Sequence, residues 1–166
     1  MNDANQSQVP STLGTLKQIS AGAFHSCALL ENDSVQCWGF DGLGRSTPPS
    51  DLGPVVQISA AYFFTCALQK NGIARCWSRA LPKEIHTSLA ALGPVVQIYT
   101  STDQICVVTQ QAKVHCLGME FGYEKVGEKT VQTASFKKNM TPPPEDLEVY
   151  IEDLLPRFDF GKKSLP

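Results

Sequence analysis

The sequence predicts an all-β fold built from three copies of one structural unit, and three observations support that prediction. Ile19, Ile58 and Ile98 lie in matching segments that are 39 and then 40 residues apart. Each segment contains short runs of β-branched and aromatic residues bounded by Gly, Pro, Asn and Asp, which is typical of antiparallel strands. The 12 glycines and 11 prolines in 166 residues supply the turns that many short strands need.

A duplicated linker defines how the units align. The sequence Leu-Gly-Pro-Val-Val-Gln-Ile occurs at residues 52–58 and again at residues 92–98. A run of this length at the repeat spacing does not arise by chance, so it sets the register of the whole repeat. We place the units at about residues 14–52, 53–92, and 93–118 with the residues that follow.

Each unit is predicted to contain a hairpin whose two strands carry facing cysteines. In the second unit Asn71 and Gly72 lie in a three-residue loop, where glycine supplies the positive φ that a tight reversal requires. Counting outward from this loop places Cys66 opposite Cys76. Because the other loops have the same length, the remaining cysteines pair in the same way: Cys27 with Cys37, and Cys106 with Cys116.

The six cysteines have two interpretations. The facing pairs predict three local disulfides, one across each hairpin. The alternative is that cysteine acts as a small apolar residue packed between sheets. We favour disulfides because both cysteine columns persist in the third unit, where Leu117 replaces the tryptophan. No Cys-x-x-Cys motif occurs and each cysteine has a partner, so neither a metal site nor a catalytic thiol is predicted.

A β-repeat of about this length with Trp-Gly after its third strand indicates the blades of a β-propeller. The first unit contains Gln-Ile-Ser-Ala-Gly at 18–22, His-Ser-Cys-Ala-Leu at 25–29 and Val-Gln-Cys-Trp-Gly at 35–39. These residues resemble the regulator of chromosome condensation repeat, in its cysteine-bearing bacterial form, and the resemblance covers about residues 14–118. We therefore predict a partial β-propeller of three four-stranded blades with a C-terminal α-helical segment.

The parts of the chain outside the repeats are predicted separately. Residues 1–13 are expected to form a flexible tail, and residues 119–140 a connecting segment or degenerate strands. The prolines and apolar spacing of residues 141–166 predict a helix followed by a tail. No apolar run is long enough to span a membrane, and the polar N-terminus lacks the pattern of a signal peptide.

Composition and spacing narrow the function classes. The 14 Lys and Arg residues against 16 Asp and Glu residues give a net charge of −2, which argues against nucleic-acid binding. No nucleophile, acid–base or phosphate-binding motif is recognisable, so we predict that the chain is not an enzyme and needs no cofactor. A blade buries its faces only against neighbouring blades, so we expect a homo-oligomer that completes a ring.

The candidate binding surface consists of aromatic residues between the first and second strands of two units: Phe24, Tyr62, Phe63 and Phe64. Clustered aromatic residues favour a protein contact, and the alternative is that alternate residues pack in the core. The main prediction is a non-enzymatic protein–protein interaction scaffold, secreted or periplasmic, as the resemblance implies. Two alternatives stay open: a host-directed effector that acts on a small GTPase as a guanine-nucleotide exchange factor, and a carbohydrate-binding module.

Overall fold

The computed structural model describes residues 4–126 and 129–137. These residues are mostly β-structure, with one helix among them. The strands of the first unit are β1 (Leu16–Ala21), β2 (His25–Leu30) and β3 (Val35–Gly39). Those of the second unit are β4 (Val55–Ala60), β5 (Thr65–Gln69) and β6 (Ala74–Trp77). Helix α1 (Lys83–Ala91) and four more strands follow: β7 (Val95–Thr100), β8 (Gln104–Thr109), β9 (Val114–Val126) and β10 (Lys129–Lys137).

The strands form three antiparallel sheets that follow one another along the chain. The first two sheets have the orders β1-β2-β3 and β4-β5-β6, and the third has the order β7-β8-β9-β10. The expectation of four strands in every blade is therefore not confirmed, because the first two sheets contain three strands each. The third sheet gains its fourth strand because β9 extends into residues 119–140, predicted as a connecting segment or degenerate strands, and the chain turns back as β10.

The hairpin register agrees in the three units. Asp33, Gly72 and Ala112 occupy equivalent turn positions and all have positive φ, of 66°, 83° and 60°. This shared turn makes every cysteine in the second strand face a cysteine in the third strand. The structure contains three disulfides, each between residues 10 apart in sequence: Cys27–Cys37, Cys66–Cys76 and Cys106–Cys116.

Two buried clusters connect the sheets. In one, Val55 and Ile58 of β4 pack with Cys27 and Leu29 of the first sheet. In the other, residues of the second and third sheets pack with helix α1: Cys66, Leu68, Ile85, Leu89, Val95 and Ile98 belong to it. The first strand of each later unit therefore packs against the middle strand of the unit before it.

Helix α1 lies in the linker between β6 and β7, where the repeat motif supplies no strand. Ile85 and Leu89 are four residues apart, so they lie on one side of a helix, and both are buried. Pro82 precedes the first helical residue, where a missing N–H is tolerated. The linker is helical because a helix places Ile85 and Leu89, which are four residues apart, together in the core beside the third sheet.

The structure describes most of the predicted N-terminal tail but not the predicted C-terminal helix. The predicted helix at 141–166 lies outside the described residues. Part of the predicted flexible tail is bound to the first unit, because the Gln6 carbonyl accepts hydrogen bonds from Ser26 Oγ and Trp38 Nε1, both at 2.9 Å. No helix in the described ranges is long and apolar enough to cross a membrane.

Candidate functional site

Four aromatic side chains form a continuous surface where the first two sheets meet. We call this surface the aromatic patch and define it as Phe24, Phe40, Tyr62 and Phe63. The Phe24 ring lies 6.4 Å from the Phe40 ring and 5.2 Å from the Tyr62 ring, both edge to face. Tyr62 and Phe63 are 4.4 Å apart. Phe24 and Tyr62 are each 37% exposed and Phe40 is 48% exposed, so the patch presents apolar rings to solvent.

The patch is assembled by three turns from two units. Phe24 lies between β1 and β2, while Tyr62 and Phe63 lie in the equivalent turn between β4 and β5. Phe40 follows directly after β3, and its ring lies over Gly42. A Cβ at position 42 would lie 2.6 Å from Phe40 Cε1, so glycine is needed there for the ring to take this position.

A buried arginine supports the patch from below. Arg45 is 3% exposed, and its Nη1 donates a 2.6 Å hydrogen bond to the Tyr62 carbonyl. The Arg45 guanidinium carbon lies 5.2 Å from the Phe40 ring centre and 5.9 Å from that of Phe63. A guanidinium at this distance attracts the faces of aromatic rings. Arg45 therefore connects the Phe40 turn to the Tyr62–Phe63 turn.

The backbone of Arg45 is held as firmly as its side chain. Its carbonyl accepts a 2.8 Å hydrogen bond from Thr65 Oγ1 and a 3.0 Å hydrogen bond from Trp77 Nε1. Thr65 and Trp77 face each other across β5 and β6. In the first unit, Ser26 and Trp38 hold the carbonyl of the preceding segment in the same way.

The third unit replaces both of these donors together. Ile105 and Leu117 occupy the positions of the hydroxyl residue and the tryptophan, and they face each other across β8 and β9. Ile105 lies in the same core cluster as Ile85 and Leu89 of α1, and Leu117 packs against that cluster. In the first two units this pair of side chains faces a backbone carbonyl, of Gln6 or Arg45, and donates hydrogen bonds to it. In the third unit the pair packs with apolar side chains of α1 instead, so apolar residues fit there. The loss of tryptophan in this unit is thus explained by α1.

His25 extends the hydrogen-bond network under the patch. His25 Nε2 lies 2.6 Å from Thr65 Oγ1, whose own proton is donated to Arg45, so Nε2 must carry the proton and donate. Burial, together with the positive charge of Arg45, lowers the pKa of His25 to about 4. The side chain is therefore neutral at physiological pH. Its partner Thr65 begins β5, so His25 connects the first unit to a strand of the second.

The turn that carries Phe40 is closed by a carboxylate. Asp41 accepts hydrogen bonds of 2.8 Å from the Ser46 N–H and 2.7 Å from Thr47 Oγ1. Burial raises the pKa of Asp41, but these hydrogen bonds and the charge of Arg79 outweigh it and hold the pKa below its usual range. Arg79 also donates a 2.6 Å hydrogen bond to the Gly42 carbonyl. The Phe40 turn is thus closed by Asp41 and bound by Arg79 to the segment that follows β6.

The prediction that Phe64 belongs to the exposed aromatic surface is wrong. Phe64 is fully buried in the core cluster, whereas Phe24, Tyr62 and Phe63 line the patch as a group. Phe64 aligns with the buried His25 of the first unit, and this alignment was the signal that could have placed it in the core. Phe40 was missed because it follows the Trp-Gly pair, where no other unit has an aromatic residue.

The described residues include a surface groove but not the kind of side-chain cluster that binds a metal ion. No group of three or more His, Cys, Asp or Glu side chains in this part of the chain could hold a metal ion. A groove of about 610 Å³ lies along the first strands of the three sheets, and polar residues form much of its lining, including Lys17, Asp33, Gln97 and Tyr99. Lys17 and Asp33 form an ion pair at this groove.

Three solved structures are similar to the chain in fold. The ectodomain of the Physcomitrella patens receptor kinase CR4 has a TM-score of 0.57 and 22% identity, covering 74% of this chain and 31% of that one. The ectodomain of the Arabidopsis thaliana receptor kinase ACR4 has a TM-score of 0.50 and 22% identity, covering 68% and 38%. Yeast RCC1, solved with Kap60 bound, has a TM-score of 0.53 and 14% identity, covering 66% and 33%. The chain spans about a third of the length of these structures.

The likenesses show a propeller-like, mostly β fold. No curated protein matches the chain by sequence. The family model described as the regulator of chromosome condensation (RCC1) repeat matches residues 16–45, which contain all three strands of the first sheet. The same strand register and cysteine pair recur in the two later sheets. The resemblance found in the sequence is therefore confirmed, because residues 16–45 match the model of the regulator of chromosome condensation repeat.

Proposed function

We propose that the chain is a non-enzymatic scaffold that binds another protein through the aromatic patch. The observation that carries this proposal is a continuous group of four rings from three turns, two of which lie on one buried arginine. Exposed rings held in fixed positions bury large apolar areas on binding and lose little side-chain entropy. Such a surface fits a protein partner whose own contact surface has apolar side chains at its centre and polar residues at its rim.

The compartment we propose is extracellular or periplasmic. All six cysteines are in disulfides, and disulfides persist where the environment is oxidising. The fold likeness to two receptor-kinase ectodomains also supports this location. The two alternatives, nucleotide exchange on a small GTPase and carbohydrate binding, have no specific support in the described residues.

The proposed function is tested by comparing captured proteins between patch variants and a matched control. Phe40→Ser combined with Tyr62→Ser removes two exposed rings, while Ile73→Ser removes an equally exposed apolar side chain in the β5–β6 turn. Wild type and Ile73→Ser should capture the same partner from an extract of the source organism, and the double variant should lose it. Equal capture by all three proteins would contradict a role for the patch.

We further propose that copies of the chain associate with one another. Each sheet in the chain packs against the next one, and the two outer sheets each have a face that no sheet in the described residues covers. Repeat proteins bury their apolar faces by stacking units, so an uncovered face favours association. Association would enlarge the scaffold and present several copies of the aromatic patch together.

A further inference from the structure

The first strand of each unit carries the same apolar positions, but their exposure differs between units. Leu16 is 41% exposed and Ile19 is 59% exposed. Their counterparts in the two later units are at most 1% exposed: Val55, Ile58, Val95 and Ile98. Because the residue types and the local strand pairing are equivalent, the difference comes from the neighbour that covers the later strands.

The cover is supplied by the preceding unit through packing. Val55 and Ile58 pack in one cluster with Cys27 and Leu29 of the first unit. The second unit covers the third in the same way, since Cys66 and Leu68 share a cluster with the first strand of the third unit. Each contact therefore joins the disulfide strand of one unit to the first strand of the next.

A glutamine in the first strand of each earlier unit, Gln18 or Gln57, also binds the backbone of the next unit, and we call this contact the glutamine clamp. The Gln18 amide donates a 2.8 Å hydrogen bond to the Ile58 carbonyl and accepts a 2.9 Å hydrogen bond from the Ile58 N–H. Gln57 makes the same pair of bonds to Ile98, at 2.8 and 2.9 Å. Both hydrogen-bonding groups of one backbone residue are thus matched by one side-chain amide, which sets the register between neighbouring units.

The third unit keeps the clamp glutamine, but the described part of the chain contains no fourth unit to receive it. Gln97 aligns with Gln18 and Gln57, and its side-chain amide has no hydrogen-bond partner among residues 4–126 and 129–137. Cys106 is partly exposed, whereas Cys27 and Cys66 at the equivalent positions are fully buried. The outer face of the third unit therefore presents one half of a contact that the chain already makes twice, and none of the described residues supplies the other half.

We propose that this face binds the first strand of a second copy of the chain, head to tail. This proposal rests on the self-association proposed above and names its contact. The Gln97 amide of one copy clamps the backbone of Ile19 in the other, and the side chains of Leu16 and Ile19 pack against Cys106 and Val108. A second copy is the fitting occupant because it carries the same strand that this type of face binds inside the chain. Such a head-to-tail contact uses different surfaces on the two copies.

Neighbouring units in the chain are also joined by one backbone hydrogen bond, and two copies can form the same bond. The Val55 N–H donates to the Asp33 carbonyl, and the Val95 N–H donates to the Gly72 carbonyl, both at 2.9 Å. The equivalent atoms between copies are the Leu16 N–H and the Ala112 carbonyl. One position departs from the internal contacts: Tyr99, which is exposed, replaces the serine whose hydroxyl accepts a hydrogen bond from the next unit. Its ring adds apolar area to the contact.

The test is the oligomeric state of the protein and of single-site variants, measured by sedimentation over micromolar to millimolar concentrations. Gln97→Glu replaces the amide that would donate to the Ile19 carbonyl of the other copy with a negatively charged carboxylate. Ile19→Asp places a charge among the apolar side chains that would pack between the copies. Each should weaken association at least about tenfold. The matched control is Ile73→Asp, which lies in the exposed β5–β6 turn and should associate as wild type does.

A mixing experiment tests the head-to-tail geometry. A mixture of Gln97→Glu and Ile19→Asp proteins retains one intact contact, between Gln97 of the second and Ile19 of the first. Mixing should therefore restore pairs that neither variant forms alone. Wild type that stays monomeric, variants that associate normally, or a mixture that forms no pairs would each overturn the proposal. Partner capture by the Gln97→Glu protein reports separately on the aromatic patch, so the two failures are distinguishable.

Discussion

Trp77 donates a hydrogen bond to the carbonyl of Arg45, a residue that lies 32 positions earlier in the chain. This contact holds the backbone beneath the aromatic patch, while the Arg45 side chain holds the patch itself. The tryptophan that marks the repeat in the sequence therefore has a structural role at the candidate site. Its partner is a backbone atom, so the sequence of the partner segment can vary between units.

Replacing Trp77 with phenylalanine should destabilise the protein and disturb the patch. The Arg45 carbonyl keeps the Thr65 donor but loses the Trp77 donor, and one such hydrogen bond contributes about 0.5–1.5 kcal/mol. Chemical denaturation measures this loss in the free energy of unfolding. Trp38→Phe is the matched control, because Trp38 makes the same bond in a half-buried site near the N-terminus and should cost less. An equal loss for both variants would contradict the importance of Arg45.

Removing a disulfide should lower stability by an amount that depends on burial. The chain-entropy model predicts the loss of about 3 kcal/mol for a loop of this size, and the loops have equal length. Cys66→Ala with Cys76→Ala should cost more than Cys106→Ala with Cys116→Ala, because the first pair is buried and leaves a cavity. Thermal and denaturant unfolding of the two double variants check the order, and the reverse order would refute this explanation.

The state of the thiols tests the proposed compartment. Protein isolated from its natural source and unfolded under non-reducing conditions should react with no thiol reagent, because its six cysteines are paired. The measurement is a mass shift after alkylation, with a chemically reduced sample as the control that gains six labels. Full labelling of the unreduced sample would place the protein in a reducing compartment and remove this part of the proposal.

His25 should make stability fall as the pH is lowered. The folded state binds the His25 proton with a pKa of about 4, whereas the unfolded state binds it near the usual 6.5. Protonation therefore favours unfolding, and the loss accumulates as the pH falls from about 6.5 to about 4, to as much as roughly 3 kcal/mol. The measurement is the free energy of unfolding against pH.

Two variants isolate the His25 contribution from that of the carboxylates. His25→Gln keeps an amide donor for Thr65 but does not titrate, so its stability should vary less between pH 6.5 and 4. His86→Gln changes an exposed histidine on α1 and should follow the wild-type profile. If His25→Gln and wild type show the same profile, the buried histidine does not control this pH dependence.

The repeat made much of the fold predictable from the sequence. Strand type, hairpin register and facing cysteines follow from local turn geometry, and three copies at one spacing reinforce one another. Helix α1 could not be inferred from the repeat because the linker between β6 and β7 differs in sequence from the corresponding linker between β3 and β4. Its helical state depends on Ile85 and Leu89 filling a core that exists only after the second and third sheets pack.

The candidate site was predictable only in part. Phe24, Tyr62 and Phe63 share a turn position, and the alternation of side chains in that turn left their direction open. Burial of Phe64 follows from packing between sheets, and the contribution of Phe40 depends on a contact across the chain with Arg45. Long-range contacts of this kind involve residues outside the repeat motif, so no spacing in the sequence indicates them.

Photo-crosslinking from the aromatic patch tests the central claim most directly. A photoreactive phenylalanine analogue placed at Tyr62 should form a covalent adduct with one protein partner in the natural environment of the chain. The same analogue at Ile73, which is also exposed but lies in the β5–β6 turn, should not capture that partner. A partner captured at Tyr62 alone is the predicted result. No adduct at Tyr62, or the same adducts from both positions, would contradict the assignment of this surface as a protein-binding site.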